Sequence, residues 1–191
     1  MAETLRHDEE NLNPVQEIKP TTRVERIIGF DEETLKQIKG VEDACFPEDM
    51  AETEEELKEV LENPNGIHLR LINGEDMVGY ITSLKPEHEV ELLKDCDPNF
   101  TPEDGTIYLH SIGIKPANRG LRNFNALLKA FAEEAAHDGY KKVSTYARIS
   151  NGFSKLLQKK FGAKYFRTIE NWRDTGEAMD YLEIDSSRQP E

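Results

Sequence analysis

The sequence predicts an α/β fold, a mixed twisted sheet of about seven strands with helices on both faces. One observation is that the spacing of apolar residues changes repeatedly between alternate positions and every third or fourth position. The first spacing is typical of strands and the second of helices. The other observation is the resulting order, with two helices after the first strand and one helix on either side of the fifth. Such mixed order produces a sheet that helices cover on both sides.

The first strand and helix follow a polar stretch at residues 1–20, which we expect to be a flexible tail. Residues 21–30 form the first predicted strand. Asp31 can cap a helix whose apolar residues have helical spacing. We expect this helix to end near Phe46-Pro47, because the residue before a proline disfavours the helical conformation. The apolar positions are Leu35, Ile38, Val41 and Cys45.

The pattern Thr53-x-x-Glu56 is a capping box and predicts a second helix, which runs to Asn63-Pro64. The period then changes to two over residues 67–72, and Asn73-Gly74 predicts a hairpin turn. Residues 77–84 form the returning strand. Residues 85–105 hold three prolines and many acids, which favours an insertion loop with a short helical turn at 90–94.

The central strand spans residues 107–114, and its helix begins at Leu121 after a short polar link. Asp138-Gly139 should end that helix, since glycine readily adopts the left-handed cap. A strand at 142–149 follows. Ser150-Asn151 and Gly162 bound the last helix. Two further strands, at 164–172 and 178–184, complete a single domain over residues 21–185, followed by a flexible tail at 186–191.

Composition excludes several classes of protein. The chain is 37% hydrophobic and 32% charged, and no apolar run approaches the roughly 20 residues of a membrane span. The first 20 residues lack the apolar segment of a secretory signal, so we expect a cytoplasmic protein. Its two cysteines, Cys45 and Cys96, are then expected as free thiols. No Cys/His cluster has the spacing of a zinc site, so no metal is predicted.

The net charge of −14 argues against nucleic acid as the main partner, because phosphate contacts need a basic surface. An acidic protein can attract a cationic amine, although the same charge can simply maintain solubility. Residues 42–62 concentrate ten acids around a single Lys58. This segment is either a solvated helix face or a rim that attracts an amine.

The turn between the central strand and its helix has the features of an anion site. The first N–H groups of a helix lack partners and carry partial positive charge. Arg119 and Arg122 lie in or beside this turn, and guanidinium groups suit phosphate oxygens. An ordinary strand-to-helix connection is the alternative.

The residues around this turn resemble a known family. Ile112-Gly113-Ile114-x-Pro116-x-x-Arg119-Gly120 resembles the coenzyme A loop of the GNAT family of N-acetyltransferases, where a strand ending in V-x-P leads into [RQ]-x-x-G-x-[GA]. Arg122 and Phe124 stand where the family usually has glycine or alanine. The element order is also that of the GNAT fold over about residues 22–185. Residues 151–163 resemble the family segment N-x-x-A-x-x-L-Y-x-x-x-G-F.

The resemblance implies transfer of an acetyl group from acetyl-CoA, as co-substrate, to a primary amine. The amine could belong to a small molecule, a polyamine, or a protein lysine or N-terminus. Backbone groups at the end of the central strand would hold the pantetheine, and the helix N-terminus would hold the phosphates. The coenzyme-binding residues so implied are Ile112, Gly113, Ile114, Arg119, Gly120, Leu121, Arg122, Asn123, Phe124 and Asn151.

An amine with a pKa near 10.4 is protonated at neutral pH, so a base is useful. Tyr108, His110 and Ile112 are predicted to share one face of the central strand. His110 is the first candidate base and Tyr108 the second, each with a purely structural role as the alternative. Gln158 stands where the family has a tyrosine that protonates the leaving thiolate, which leaves Tyr146 or Tyr165 as candidates.

The resemblance implies substrate contacts from the first two helices and the insertion loop, with Phe46, Glu48 and Asp49 as the candidates. Two alternatives to an acetyltransferase stay open. One is a GNAT-like binding module without activity, and the other is a transferase for a longer acyl group. The protein could be a monomer, or a homodimer formed through apolar surface at Trp172 and Tyr181; a core position for both is the alternative.

Overall fold

The computed structural model describes residues 22–29 and 31–187. Residues 1–20 and 188–191, which include the predicted N-terminal tail and most of the C-terminal one, lie outside the described residues, as do Thr21 and Phe30. The strands are β1 (Thr22–Arg26), β2 (Leu69–Asn73), β3 (Asp76–Leu84), β4 (Thr106–Ile114), β5 (Lys142–Arg148), β6 (Lys164–Ile169) and β7 (Met179–Asp185). The α-helices are α1 (Glu32–Cys45), α2 (Glu54–Leu61), α3 (Val90–Cys96), α4 (Leu121–His137) and α5 (Phe153–Phe161).

The predicted element order is confirmed, with small differences at the ends. Single 3-10 turns occur at Pro86–His88, Pro116–Asn118 and Trp172–Asp174. The last of these shortens β6, which ends at Ile169 instead of the predicted Trp172. The insertion loop holds a full helix, α3, where only a short turn was predicted.

The seven strands form one sheet in the order β1-β2-β3-β4-β5-β7-β6. All neighbours are antiparallel except β4 and β5, which run parallel and pair only over Thr106–Tyr108 and Lys142–Ser144. Beyond these residues the pairing stops and the two strands separate. A gap therefore opens in the middle of the sheet, beside the second half of β4.

Helices cover both faces of the sheet, as predicted. On one face, α4 and α5 pack through apolar residues such as Leu127, Phe131, Leu157 and Phe161. On the other face, α1 and α2 form one core cluster and α3 contributes to a second. Trp172 and Tyr181 are both buried in this second cluster. The apolar dimer surface suggested for these two residues is therefore wrong, and their core position is confirmed.

A β-bulge interrupts β4 at the centre of the sheet. Ser111 pairs with Thr82 and Leu109 pairs with Ser83, so His110 is an extra residue without a partner on β3. The bulge shifts the alternation of side chains. Tyr108 belongs to the α3 side, whereas Ile112 packs on the α4 side. The prediction that Tyr108, His110 and Ile112 share one face is therefore wrong for Ile112.

The N-terminus of α2 has the predicted capping box. The Thr53 hydroxyl accepts from the backbone N–H of Glu56 at 3.2 Å, and the Glu56 carboxylate accepts from the Thr53 N–H at 2.8 Å. We expect Thr53→Ala to lower the free energy of unfolding by about 1 kcal/mol, because the Glu56 N–H loses its acceptor and the Glu56 carboxylate loses the Thr53 hydroxyl as a donor. Chemical denaturation, followed by the fluorescence of the buried Trp172, measures the change. Thr101→Ala in an exposed loop is the control, and an equal loss in both variants would contradict the prediction.

Candidate functional site

A cavity of about 680 Å³ occupies the gap between β4 and β5. It connects the N-termini of α4 and α5 on one side of the sheet with α1 and the turn after β6 on the other. Eleven of the residues predicted for catalysis, coenzyme or substrate line this cavity. They are Phe46, Tyr108, His110, Ile112, Gly113, Ile114, Arg119, Gly120, Leu121, Phe124 and Asn151.

Four other predicted residues lie outside the cavity. Glu48 lines a separate acidic groove that Phe46 also borders. Asp49 is exposed, and Arg122 is exposed on the first turn of α4. The Asn123 amide holds the fold together, since it accepts from the Thr22 hydroxyl at 3.0 Å and donates to the Asn118 carbonyl at 2.9 Å.

The N-terminus of α4 differs from those of α1 and α2. Asp31 caps α1 by accepting from the Thr34 N–H, and Thr53 caps α2. By contrast, Gly120 precedes α4 and offers no capping side chain, and the first turn carries no acid. The end of a 17-residue helix therefore presents N–H groups beside the cavity without an internal anion.

Phe124 points away from this turn. Its ring packs edge-on against Phe153, with ring centroids 5.5 Å apart, and against Phe161 at 6.2 Å. The side chain thus fills space between α4 and α5, and it leaves the backbone of the turn accessible. Arg119 is held at the turn by its Nε, which donates to the Ile114 carbonyl at 3.1 Å.

Gly113 allows β4 to lie close to its neighbours. A Cβ at this position would stand 2.8 Å from the Tyr80 ring and 3.4 Å from the Cys45 sulfur. On this face of the sheet, the Tyr80 ring is the group closest to Gly113. A side chain here would displace Tyr80, whose hydroxyl donates to Glu42.

His110 lies between two carboxylates. Its side chain is only 6% exposed, its Nε2 contacts Glu52, and its Nδ1 lies 3.0 Å from Oε1 of Glu89. Burial alone would lower the histidine pKa, but the two carboxylates outweigh it and raise the pKa to about 10. The imidazole is therefore a cation at neutral pH, paired with both acids.

Glu42 is a buried acid that the sequence analysis did not single out. It is 1% exposed, accepts from the Tyr80 hydroxyl, and accepts from the Glu52 N–H at 3.1 Å. Tyr80 in turn contacts the Ser111 hydroxyl at 2.8 Å. Burial raises the pKa of Glu42 to about 8, and the nearby Glu52 adds to this effect. A signal was available, because Glu42 follows Ile38 by four residues and so shares the apolar face of α1.

The tyrosines near the cavity have different surroundings. The Tyr146 hydroxyl donates to Asp97 at 2.6 Å, and burial followed by this hydrogen bond raises its pKa. Burial also raises the pKa of Tyr108. Tyr165 is exposed and bonds to Thr168, outside the cavity lining. Gln158 donates to the Ser154 hydroxyl at 2.9 Å and does not line the cavity either.

Two arginines on the cavity wall were also missed. Arg148 is the last residue of β5, and Arg173 lies in the turn between β6 and β7. Their positions 25 residues apart gave no common motif. Both line one cavity because β5 pairs with β7, and Arg148 lies opposite Met179, the first residue of the strand that follows the turn with Arg173.

Within residues 22–29 and 31–187, no group of three or more His, Cys, Asp or Glu side chains could hold a metal ion. No helix in these ranges combines the length and apolar character needed to cross a bilayer. Cys45 and Cys96 are both free thiols, as predicted.

Solved structures with the same fold are numerous but distant in sequence. The ribosomal-protein-S18-alanine N-acetyltransferase from Escherichia coli aligns with a TM-score of 0.67 at 13% identity, covering 88% of this chain and 96% of that one. NAA60 of Arabidopsis thaliana in complex with acetyl-CoA gives 0.65 at 12% identity, covering 86% and 98%. An aminoglycoside 6'-N-acetyltransferase from Enterococcus faecium gives 0.62 at 13% identity, covering 88% and 99%. No curated protein sequence matches the chain.

The family comparison is more direct. The model of the acetyltransferase (GNAT) family matches residues 33–163, which run from α1 through α5 and include β4, the turn after it and α4. The match covers well over half of the chain and includes the segments on which the resemblance was based. The protein therefore belongs to the GNAT family of acetyltransferases.

Proposed function

We propose that this protein transfers an acetyl group from acetyl-CoA to a primary amine. The observation that carries the proposal is one continuous cavity that joins the uncapped N-terminus of α4, the unpaired half of β4 and the buried acid Glu42. Each part meets one need of the reaction. The first suits phosphates, the second suits the pantetheine arm, and the third can accept a proton.

The coenzyme would lie along the α4 side of the gap. Its pyrophosphate would bind the N–H groups of Leu121, Arg122 and Asn123, with the Arg122 guanidinium adding charge. Its pantetheine would pair with the backbone of residues 112–114, which face the gap where β5 has separated. Gly120 and Asn151, which line the same cavity, would complete this half of the site.

In the reaction, the amine nitrogen attacks the thioester carbonyl carbon, a C–N bond forms and the C–S bond breaks. We assign the proton that the amine loses to the Glu42 carboxylate, directly or through a water. A pKa of about 8 leaves part of this group ionised near neutral pH, and its basicity suits proton transfer there. The coenzyme departs as a thiolate, whose pKa near 8.5 makes it an adequate leaving group. Tyr108 and Tyr146 both line the cavity, but burial raises the pKa of each and the Tyr146 hydroxyl already donates to Asp97, so we expect the thiolate to leave without a proton from either.

The base predicted from the sequence, His110, stays a prediction. A histidine with a pKa of about 10 is already protonated at neutral pH, so the structure favours a positioning role. As a buried cation it holds Glu52, whose backbone N–H donates to Glu42. Phe46, Glu48 and Asp49 would form the outer rim through which the amine enters.

Two features support an amine as the acceptor. Acids line or approach the cavity from α1 and the segment before α2, where an ammonium group would be attracted. The solved structures named above as N-acetyltransferases act on amines of a ribosomal protein and of aminoglycosides. The proposal includes a monomer or homodimer without nucleic acid, in keeping with the net charge of −14. It also includes a cytoplasmic location, in keeping with the two free thiols.

The test begins with isothermal titration of the protein with acetyl-CoA, followed by a thiol-release assay with a panel of amines. Micromolar binding and amine-dependent release of thiol support the proposal. Binding without turnover would favour the inactive module, and faster transfer from longer acyl-CoAs would favour a transferase for those groups. An absence of binding at millimolar acetyl-CoA would refute it.

We expect Arg122→Glu to raise the Kd for acetyl-CoA at least tenfold, or about 1.4 kcal/mol, because it places a negative charge on the first turn of α4. Lys129→Glu is the matched control, since Lys129 lies two turns further along the same helix and is exposed. Equal affinities for the two variants would show that the phosphates bind elsewhere.

A further inference from the structure

The arginines of this protein fall into two groups. Among the described residues, four arginines form ion pairs with carboxylates, and four do not. The paired ones are Arg23, Arg26, Arg70 and Arg167. The others are Arg119, Arg122, Arg148 and Arg173, of which three line the cavity and Arg122 lies on the first turn of α4. In a chain of net charge −14, the described arginines without a carboxylate partner thus lie in or beside one cavity.

Arg119 and Arg122 are already accounted for by the coenzyme, but Arg148 and Arg173 are not. Arg148 follows Tyr146 by two residues on an unbroken strand, so its side chain lies on the face of the sheet opposite α4. Its Nη2 lies 2.7 Å from the sulfur of Met50, a weak acceptor that neutralises no charge. Arg148 therefore belongs to the acceptor half of the cavity, near the segment that carries Glu52.

Arg173 is presented to the same half by a rigid turn. Its backbone is left-handed, with φ of 47°, which is uncommon for a residue with a side chain. The turn is fixed by its own hydrogen bonds, from the Trp172 N–H to the Glu177 carbonyl at 2.8 Å and from the Gly176 N–H to the Asn171 side chain at 2.8 Å. The guanidinium lies over the buried Trp172 ring, 6.0 Å from its centroid. Backbone strain that holds one side chain in a fixed place is typical of functional sites.

The acceptor half of the cavity therefore has two walls of opposite charge. Glu42 and Glu52 lie on the wall formed by α1 and the segment before α2, whereas Arg148 and Arg173 come from β5 and the turn after β6. Arg148 is half-buried, and a guanidinium in that position without a carboxylate partner loses hydration without compensation, whereas Arg173 lines the same cavity but is exposed. A ligand oxyanion that binds both arginines would supply that compensation.

We propose that the acceptor is a small amine that also carries a carboxylate, and that Arg148 and Arg173 bind this carboxylate. Its ammonium group would lie toward Glu42 and Glu52, so that the loss of its proton exposes the nitrogen to the thioester. The inference rests on the proposed function and names its substrate class. A cavity of about 680 Å³ that also admits the pantetheine end leaves room for an acceptor of amino-acid size.

The test compares acceptors that differ only in the anionic group. A set of α- and ω-amino acids is assayed for thiol release from acetyl-CoA beside the corresponding carboxamides, with spermidine as a polycationic amine. We expect at least one amino acid to be acetylated with a kcat/KM at least tenfold above that of its amide. Arg148→Gln and Arg173→Gln should each reduce this ratio about tenfold, mainly through KM, because each removes a charged hydrogen-bond donor. Arg23→Gln, outside the cavity, should leave the ratio unchanged.

A second measurement does not depend on turnover. Trp172 is the only tryptophan and lies beneath Arg173, so its fluorescence should report a bound carboxylate. In the presence of coenzyme A, the N-acetyl derivatives of the same amino acids should cause a saturable change, which Arg148→Gln weakens about tenfold. Equal rates for amino acids and amides, or a preference for spermidine, would overturn this inference and leave the acetyltransferase assignment standing. A protein that fails to bind acetyl-CoA would instead refute the proposed function.

Discussion

Glu42→Gln is expected to lower kcat/KM about a hundredfold or more at pH 8, with little change in the Kd for acetyl-CoA. The substitution keeps the shape of the side chain, and its amide oxygen can still accept from the Glu52 N–H while its NH2 donates to the Tyr80 oxygen, but glutamine cannot take a proton from the amine. The effect should therefore appear in the acetyl-transfer step. Thiol-release kinetics and titration with acetyl-CoA measure the two quantities separately.

The pH dependence distinguishes Glu42 from other proton acceptors. For the wild type, kcat/KM should rise with pH through about 8, where Glu42 becomes ionised. This limb should vanish in Glu42→Gln, whereas a limb caused by ionisation of the acceptor amine would persist. Glu59→Gln, at an exposed position on α2, is the control and should retain the wild-type profile. If the limb near pH 8 survives in Glu42→Gln, another group is the base.

Glu42 also lowers the free energy of unfolding as the pH rises. Its pKa in the folded protein is raised above 4.5, so the unfolded chain releases the proton first as pH rises. Stability is therefore lost between about pH 4.5 and 8 through this residue. A buried acid that destabilises the fold under working conditions is better explained by chemistry than by packing, which supports the role assigned to it.

Most of the fold could be predicted because its elements depend on local periodicity and caps. The helix α4 shows this, since its apolar spacing and the Asp138-Gly139 stop are both visible in the sequence, and Gly139 has the expected left-handed φ of 87°. The β4 bulge could not be predicted in the same way. An alternating apolar run does not show which of its residues will lack a partner on the neighbouring strand. In β4 that residue is His110.

Only the half of the candidate site around the turn after β4 could be predicted from the sequence, for a related reason. The turn that we propose for coenzyme binding is continuous in sequence, so its residues could be recognised together. The acceptor half is assembled from α1, the segment before α2, β5 and the turn after β6. Glu42, Arg148 and Arg173 become neighbours of one cavity only through the order of strands in the sheet, which the sequence does not state.

His110→Ala is expected to lower the free energy of unfolding by about 3 kcal/mol or more at pH 7, because it leaves Glu52 and Glu89 buried without their shared cation. Both carboxylates have an oxygen that is buried without a hydrogen bond, so their pairing with the imidazolium is the main compensation they have. Denaturation monitored by Trp172 fluorescence measures the loss. His137→Ala is the matched control, since that side chain is 83% exposed.

The free energy of unfolding of the wild type should also depend on pH in the way expected for a protonated His110. The pKa of His110 is raised from 6.5 to about 10 on folding, so its contribution is complete below pH 6.5 and is lost as pH rises through 10. His110→Ala should lack this part of the decline, whereas His137→Ala should retain it. A decline of equal size in both variants would mean that His110 is neutral in the folded protein. The histidine would then be free to accept a proton, and the base would have to be sought there instead of at Glu42.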